Sequence, residues 1–386
     1  MITIGIIGSG AMGAGIAQVA ATAGHRVIIY DNDKNALDKS KSNLPATLKK
    51  LVEKQKLSEQ LAKEISERTQ FVNDIKQFKN CGLIIEAIVE ILEVKQKLFA
   101  DLENIVSDDC ILATNTSSLS IASIASACKK PERVIGIHFF NPAPIMPLVE
   151  IIPGILTADA TTQNSKKIID AWGKVTVLTK DTPGFIVNRV ARSFYGEAIR
   201  IYEEGIADFA TIDWAMKTKG GFKMGPFELM DFIGNDINYK VTESVWTQFF
   251  YEPRFKPSLT QKRLYEAKLF GRKSGRGYYN YADGAIQPEA HKKDELANYI
   301  FNRVIAMLIN EAVDSLYLQL ASKEDIDLAM TKGVNYPKGL LKWADDLGLN
   351  NALNTLDVLY DLYAEDRYRP SILLKMMVKE NKKFYN

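Results

Sequence analysis

The feature that most restricts this chain is the run Gly8-Ser9-Gly10-Ala11-Met12-Gly13. It follows a short β-branched stretch, Ile2–Ile7, and opens the helix-forming stretch Ala14–Ala23. Three glycines at this spacing, between a strand and a helix, describe a tight turn whose backbone comes close to a ligand. Gly8 permits the turn, Gly10 lets the main chain approach a pyrophosphate, and Gly13 lets the helix pack on the strand. The N–H groups that open the helix, from Ala11 and Met12 onward, then favour the anion. A second strand, Arg26–Tyr30, ends on Asp31, 18 positions after Gly13. A carboxylate there accepts from a ribose 2′-hydroxyl and repels a 2′-phosphate, so NAD is expected rather than NADP. A glycine-rich turn without a ligand and an FAD site are the rival readings.

The rest of residues 1–180 fits such a site. Leu83–Ala87, Ile111–Thr114, Val134–His138 and Val175–Leu178 are near-continuous apolar runs, as parallel strands covered on both faces should be. The intervening stretches, such as Lys34–Glu67, form helices in this reading, which gives an α/β Rossmann fold with a doubly wound, mainly parallel sheet. Asp181-Thr182-Pro183-Gly184 is turn chemistry and marks a boundary. Beyond it strands vanish and amphipathic helical periodicity begins, as in Val187–Tyr202.

This helical part repeats. Asn188-Arg189-Val190 recurs 114 positions later as Asn302-Arg303-Val304, and Glu197-Ala198 recurs as Glu311-Ala312. The same offset relates Ile212-Asp213 to Ile326-Asp327, Gly225 to Gly339, Asp231 to Asp345 and Gly234 to Gly348. After a one-residue slip, Arg254-Phe255-Lys256-Pro257 matches Arg367-Tyr368-Arg369-Pro370. The expected organisation is an NAD-binding domain (1–182) and two all-α domains related by duplication (183–283 and 284–386), joined by a linker around Ala282–Asp294. The ending Gly275-x-Gly277-Tyr278-Tyr279 of the first copy has no evident counterpart in the second.

Composition excludes several classes. Lys+Arg is 49 against Asp+Glu 47, so there is no basic excess of the kind a nucleic-acid partner requires. No apolar run is long enough to span a membrane. Cys81, Cys110 and Cys128 have neither metal-ligand nor disulfide spacing, so no metal is expected and a reducing cytoplasm fits. The start of the chain has no basic n-region or cleavage site, and no signal peptide is expected.

Three histidines narrow the search for a catalytic group. His25 sits at a turn into a strand and His291 lies in the charged linker. His138 ends the apolar run Val134–His138, and strand C-termini are where open α/β sheets place ligands. Glu150 stands within a second apolar run, Leu148-Val149-Glu150-Ile151-Ile152. A carboxylate there needs a partner, because burying it alone is costly. Pairing with His138 meets that need, and an anionic neighbour favours the imidazolium, as a general base requires.

Together, Gly8-x-Gly10-x-Met12-Gly13, Asn115-Thr116-Ser117-Ser118-Leu119, His138-Phe139-Phe140-Asn141-Pro142, Glu150 and Asp181–Arg189 resemble the 3-hydroxyacyl-CoA dehydrogenases of fatty-acid β-oxidation. The resemblance covers residues 1 to about 281, including Gly271-Arg272-Lys273-Ser274-Gly275. The second helical copy resembles the extra C-terminal domain of fused bacterial members. The resemblance implies NAD-dependent, reversible oxidation of a (3S)-3-hydroxyacyl-CoA, with a short-chain substrate such as 3-hydroxybutyryl-CoA. His138 is then the base and Glu150 its orienting carboxylate, while Ser117 and Asn188 bond the reacting oxygen and the thioester region. Asn115, Asn141, Glu90, Lys95 and Lys273 are implied as cofactor contacts, and Thr47 and Lys54 as CoA contacts.

Two rivals remain at this point. Another Rossmann-plus-helical β-hydroxyacid dehydrogenase would use a lysine as its central catalytic group, and a crystallin-like relative would have no activity. Single-copy relatives pair their helical domains across a dimer axis. A fused second copy therefore implies a monomer with an internal pseudo-dimer, or a homodimer.

Overall fold

The computed structural model describes residues 2–385. Its strands are β1 (Thr3–Ile7), β2 (Arg26–Tyr30), β3 (Thr69–Val72), β4 (Cys81–Glu86), β5 (Ile111–Thr114), β6 (Val134–Phe139), β7 (Leu148–Pro153) and β8 (Val175–Leu178). They form one eight-stranded sheet in the order β3-β2-β1-β4-β5-β6-β7-β8. Every neighbouring pair is parallel except β6–β7, which is antiparallel. Helices α1 (Ala11–Thr22), α2 (Lys34–Glu53), α3 (Glu59–Arg68), α4 (Leu92–Glu103), α5 (Ile121–Ala125) and α6 (Asp159–Asp170) complete the α/β Rossmann unit, which ends at Thr182.

The sheet forms where the apolar runs predict it. In β4 and β6 consecutive residues are buried, so both sheet faces are covered and the runs are unbroken rather than alternating. β1 has β2 on one side and β4 on the other, so the chain reverses its direction of travel across the sheet there. The crevice outside the C-terminal ends of such strands is where an open α/β sheet receives its ligand. Two strands lie outside the six read from sequence: β7, noted there only as the apolar run around Glu150, and β3. β3 was not foreseen, being a four-residue edge strand that pairs only with β2. The helix-forming stretch Lys34–Glu67 is two helices, broken where Gln55 takes φ 55 and resumed where the Ser58 hydroxyl accepts from Leu61 N–H.

A second unit, from Pro183 onward, is helical. Its first half holds α7 (Val187–Val190), α8 (Arg192–Glu203), α9 (Phe209–Gly220), α10 (Pro226–Ile233), α11 (Asn235–Gln248) and α12 (Leu259–Glu266). The second half holds α13 (Asp294–Tyr317), α14 (Lys323–Gly333), α15 (Leu340–Leu347), α16 (Leu349–Tyr363) and α17 (Ile372–Lys379). α14, α15 and α16 start 114 residues after α9, α10 and α11, and α17 starts 113 after α12. Repeated bonds accompany the repeated helices. The Asp213 carboxylate accepts from Phe227 and Glu228 N–H at 2.9 Å each, and Asp327 accepts from Leu341 and Lys342 N–H at 2.8 and 3.0 Å.

The ending of the second copy corrects the sequence reading. Asp231 accepts from Tyr278 and Tyr279 N–H, and Asp345 accepts from Phe384 and Tyr385 N–H at 2.9 and 2.8 Å. Phe384-Tyr385 therefore does in the second copy what Tyr278-Tyr279 does in the first. The glycines differ because Gly277 passes so close to Asp231 that a Cβ would lie 1.9 Å from its Oδ1.

The two halves meet symmetrically. α13 packs on α8 and α9. Arg189 Nε donates to Glu311 Oε1 at 2.6 Å, and Arg303 Nε donates to Glu197 Oε1 at 2.6 Å. Arg189 and Arg303 are repeat partners, as are Glu197 and Glu311, so each copy gives the other the same contact. That reciprocity is the signature of a two-fold interface, here within one chain. Leu308, Leu341 and Leu356 are fully buried in this unit, whereas Leu316 is only half-buried.

Candidate active site

Strand β1 ends at a turn that only glycine can make. Gly8 has φ +97, and a Cβ on it would lie 2.4 Å from the Ala87 carbonyl oxygen. A Cβ on Gly13 would meet the Gly8 carbonyl oxygen at 1.8 Å, so α1 could not sit so close to the strand. Gly10 differs, because a Cβ there would meet nothing within 4 Å. Protein packing thus explains two of the three glycines, and the third leaves room beside the main chain, as a dinucleotide pyrophosphate requires. Gly10 also caps α1 without a side-chain acceptor, and the first turn, Ala11 and Met12 included, carries no acidic residue. Its N–H groups are left to an anion.

At the end of β2, Asp31 is held rather than loose. Its Oδ2 accepts from the N–H and Oγ of Ser9 at 2.7 and 2.8 Å, and its Oδ1 accepts from Asp33 N–H at 3.0 Å. Ser9 lies inside the glycine motif and was not singled out from sequence; its spacing from Asp31 is visible only once β1 and β2 lie side by side. Gly10, Ala11 and Thr47 line one cavity of about 530 Å³ in this unit. Thr47 is in α2, and Lys54 is the exposed residue that ends that helix.

Beyond β4 and β5 lies a polar network. Glu86, at the end of apolar β4, is fully buried and accepts from Lys95 Nζ at 2.5 Å, Thr114 Oγ1 at 2.7 Å and Ile88 N–H at 2.7 Å. Lys95 also pairs with Glu90 Oε2 at 3.2 Å. Glu90 in turn accepts from Thr116 Oγ1, from Ser117 N–H at 3.0 Å and from Ser118 Oγ at 3.2 Å. Burial alone would raise the Glu90 carboxyl, but the Lys95 charge and these hydrogen bonds outweigh it and hold it below the ordinary carboxylate range. Lys95 is only 1% exposed, so its ammonium fixes Glu90 and Glu86 instead of lying open to a ligand. Glu86 is the residue that sequence reasoning missed here. The signal was present, since a carboxylate ending Leu83-Ile84-Ile85 needs a partner just as Glu150 does.

Antiparallel β6 and β7 pair His138 directly with Glu150. His138 Nδ1 and Glu150 Oε2 are 2.7 Å apart, with Glu150 fully buried and His138 6% exposed. An ionised carboxylate only accepts, so the shared proton belongs to Nδ1 and Nε2 is the basic nitrogen. The Phe140 ring lies 4.5 Å from the imidazole, centroid to centroid. Asn115 Oδ1 accepts from Phe139 N–H at 2.8 Å, tying the end of β5 to the end of β6 one residue from His138. Ser117 lies between β5 and α5, and the helix cap is Ser120, whose hydroxyl accepts from Ser123 N–H. A capping role therefore does not explain Ser117. Asn141 is exposed in the loop after β6.

The other expected site residues belong to the second unit. Asn188 is in α7, and its carbonyl oxygen accepts from Arg192 Nε at 2.9 Å. Lys273 is partly exposed, and its ammonium pairs with Asp236 at 2.6 Å. Among the described residues no group of His, Cys, Asp or Glu is arranged to hold a metal ion.

A strand–glycine turn–helix for a dinucleotide and a buried His–Glu pair on the same sheet narrow the possibilities, and comparison with known proteins decides among them. The NAD-binding domain of 3-hydroxyacyl-CoA dehydrogenase matches residues 3–182, and the C-terminal domain of that enzyme matches 184–281 and again 299–384.

The chain belongs to the 3-hydroxyacyl-CoA dehydrogenase family.

NAD is accordingly the cofactor of this oxidoreductase. The chain is 38% identical to 3-hydroxyadipyl-CoA dehydrogenase of Escherichia coli, over 97% of this chain and 96% of that one. It is 42% identical to human mitochondrial hydroxyacyl-coenzyme A dehydrogenase over 72% of this chain and 90% of the relative. The crystal structure of 3-hydroxybutyryl-CoA dehydrogenase from Escherichia coli superposes with a TM-score of 0.92 at 37% identity, covering 98% of both chains. The human relative, like other single-copy members, is matched only by the portion of this chain that ends near residue 281.

Proposed function

We propose that this chain catalyses the reversible oxidation of (3S)-3-hydroxyacyl-CoA to 3-ketoacyl-CoA, with His138 as general base. The observation that carries this reading is the buried 2.7 Å pair of His138 and Glu150 across β6 and β7. NAD, when bound, accepts the hydride that leaves C3. His138 Nε2 takes the proton from the 3-hydroxyl, so the O–H and C3–H bonds break as the carbonyl forms. Glu150 holds the ring in the required tautomer and balances the imidazolium that results. In the reverse direction His138 returns the proton.

Ser117 is the proposed hydrogen-bond partner of the reacting oxygen, and Asn188 contributes from the second unit. Asn115 and Asn141 are proposed to orient the nicotinamide end of the cofactor, Asn115 by fixing the end of β6. Asp31 is the proposed ribose partner, and Glu90 a cofactor contact that Lys95 positions. Lys273 is proposed as a cofactor contact, and Thr47 and Lys54 as CoA contacts. Relatives named for 3-hydroxybutyryl-CoA and 3-hydroxyadipyl-CoA favour a short acyl group. The domains are read as 1–182, 183–283 and 284–386, the last two forming an internal pseudo-dimer in a monomer or in a larger homodimer. The buried, unbridged thiols of Cys81 and Cys110, pushed up to about 12 by burial, favour a reducing compartment such as the cytoplasm.

Stereospecific oxidation tests this proposal. With NAD, (3S)-3-hydroxybutyryl-CoA should yield NADH and the 3R epimer should not. Equal yields from both, or from neither, would contradict it.

A further inference from the structure

Most buried arginines of the helical unit answer a buried carboxylate: Arg189 and Arg254 meet Glu311, and Arg303 meets Glu197. Arg192 does not. It is 7% exposed, and among the described residues no carboxylate pairs with it. Its Nε donates to the carbonyl of Asn188, and Nη1 donates to the Thr242 hydroxyl at 3.1 Å and the carbonyl of Asn238 at 3.4 Å. The guanidinium carbon lies 4.9 Å from the Tyr195 ring. Burial pushes Arg192 down from the ordinary guanidinium value, opposed only by the phenols of Tyr195 and Tyr336.

Two more donors around this cation lack acceptors. The Asn238 amide nitrogen and the Tyr336 hydroxyl are buried and have no hydrogen-bond partner among the described residues. A cation without an anion, beside donors without acceptors, is costly unless a ligand supplies the missing charge.

The duplication provides an internal control. The repeat partners of Arg192, Asn238 and Thr242 are Ala306, Ala352 and Leu356, all buried. The partner of Tyr336 is Phe222, which has the ring without the hydroxyl. The scaffold is therefore complete with apolar residues at all these positions, and the polar set was not needed to fold it. It occurs once: Arg192, Asn238 and Thr242 stand in the copy that carries Asn188, and Tyr336 comes from the other copy.

We infer that Arg192, with Asn238 and Tyr336, forms a receptor for a carboxylate, and that this carboxylate is the far end of a dicarboxylic 3-hydroxyacyl-CoA substrate. The substrate assignment rests on the reading of Asn188 as a contact to the reacting end. Arg192 opens α8 four residues after Asn188 in α7 and bonds its carbonyl at 2.9 Å, so the two lie close enough for a spacer of a few methylenes to bridge the reacting carbon and the terminal carboxylate.

The test compares two substrates of equal length, 3-ketoadipyl-CoA and 3-ketohexanoyl-CoA, which differ in a terminal carboxylate against a methyl group. The full-length wild type should favour the first in kcat/KM by about 10- to 100-fold, the range for a hydrogen-bonded charge. Arg192→Met should bring that ratio close to unity. Asn238→Asp is the second variant: it places a carboxylate beside Arg192 without removing the cation, and should lower the ratio in the same way with the thermal melt preserved. A wild-type ratio near unity, or a ratio that both variants leave intact, overturns the inference. A free anion is the alternative occupant. If 1 mM-scale adipate changes the rate with 3-ketohexanoyl-CoA through Arg192 while the wild type shows no substrate preference, the substrate assignment is wrong. If neither substrate is reduced, the dehydrogenase reading itself fails, which is a separate outcome.

Discussion

Carboxylates in or just after apolar strands recur in the first unit: Asp31 after β2, Glu86 ending β4 and Glu150 within β7. Each is engaged, by Ser9, by Lys95 and Thr114, and by His138 respectively. Their different partners assign them different work. His138→Gln should lower kcat by about 10²–10⁴-fold while NADH still binds, because a positioned base contributes that much; retention of a tenth of wild-type turnover would remove His138 from the role. Glu150→Gln should be milder and should alter the pH–rate profile, since the imidazole loses its anionic neighbour. Asp31→Ala should erode a strong preference for NAD over NADP, measured as the ratio of kcat/KM for the two cofactors, and equal use of both by the wild type would contradict the assignment. His138, Glu150 and Asp31 were legible in the sequence because each breaks a local rule: a polar group in or beside an apolar run. The role of Lys95 was not legible as positioning, because nothing in a one-dimensional pattern shows that Glu86 and Glu90 converge on one ammonium.

At the scale of elements, six of the strands and the duplication could be read in advance, β7 was visible only as the apolar run around Glu150, and β3 could not be read at all. β3 is short, lies at the sheet edge and carries Gln70 between two half-buried neighbours, so its pattern is too brief to separate from the end of α3. The second copy's ending was misread for a related reason. Its function lies in two backbone N–H groups facing Asp345, and backbone groups leave no mark in side-chain identity. The reciprocal ion pairs yield a stability prediction. Glu197 is fully buried; burial would raise its carboxyl, but Arg200, Arg303 and Arg367 outweigh that and hold it below the ordinary value. A depressed folded-state value means a stabilising contribution that is present above the unfolded carboxyl range and fades as pH falls below about 4.5. Glu197→Gln should therefore destabilise the protein near neutral pH by roughly 3 kcal/mol, because it leaves buried guanidinium groups short of an anion. Urea denaturation at pH 7 and pH 4 checks this, and the gap between wild type and variant should narrow at the lower pH. Glu311→Gln should also destabilise the protein at pH 7, since Glu311 accepts from both Arg189 and Arg254.

For the whole molecule, the duplication explains why the chain continues about a hundred residues past the point where single-copy relatives stop matching. The second copy packs on the first through α13 against α8 and α9, and a covalent link makes that pairing effectively intramolecular. A fragment ending near Asp294 should therefore aggregate or dimerise through the uncovered face of α8 and α9, as read by sedimentation, and a stable, fully active monomer would show that the second copy does not replace a partner. The work proposed for the buried His–Glu pair on the NAD-binding sheet is 3-hydroxyacyl-CoA oxidation. Its most direct test is NADH consumption with acetoacetyl-CoA by the purified full-length chain and by its His138→Gln variant, side by side. Rapid consumption by the wild type and a loss of about 10²-fold or more in the variant is the predicted result; no consumption by the wild type, or equal rates for the two proteins, would contradict it.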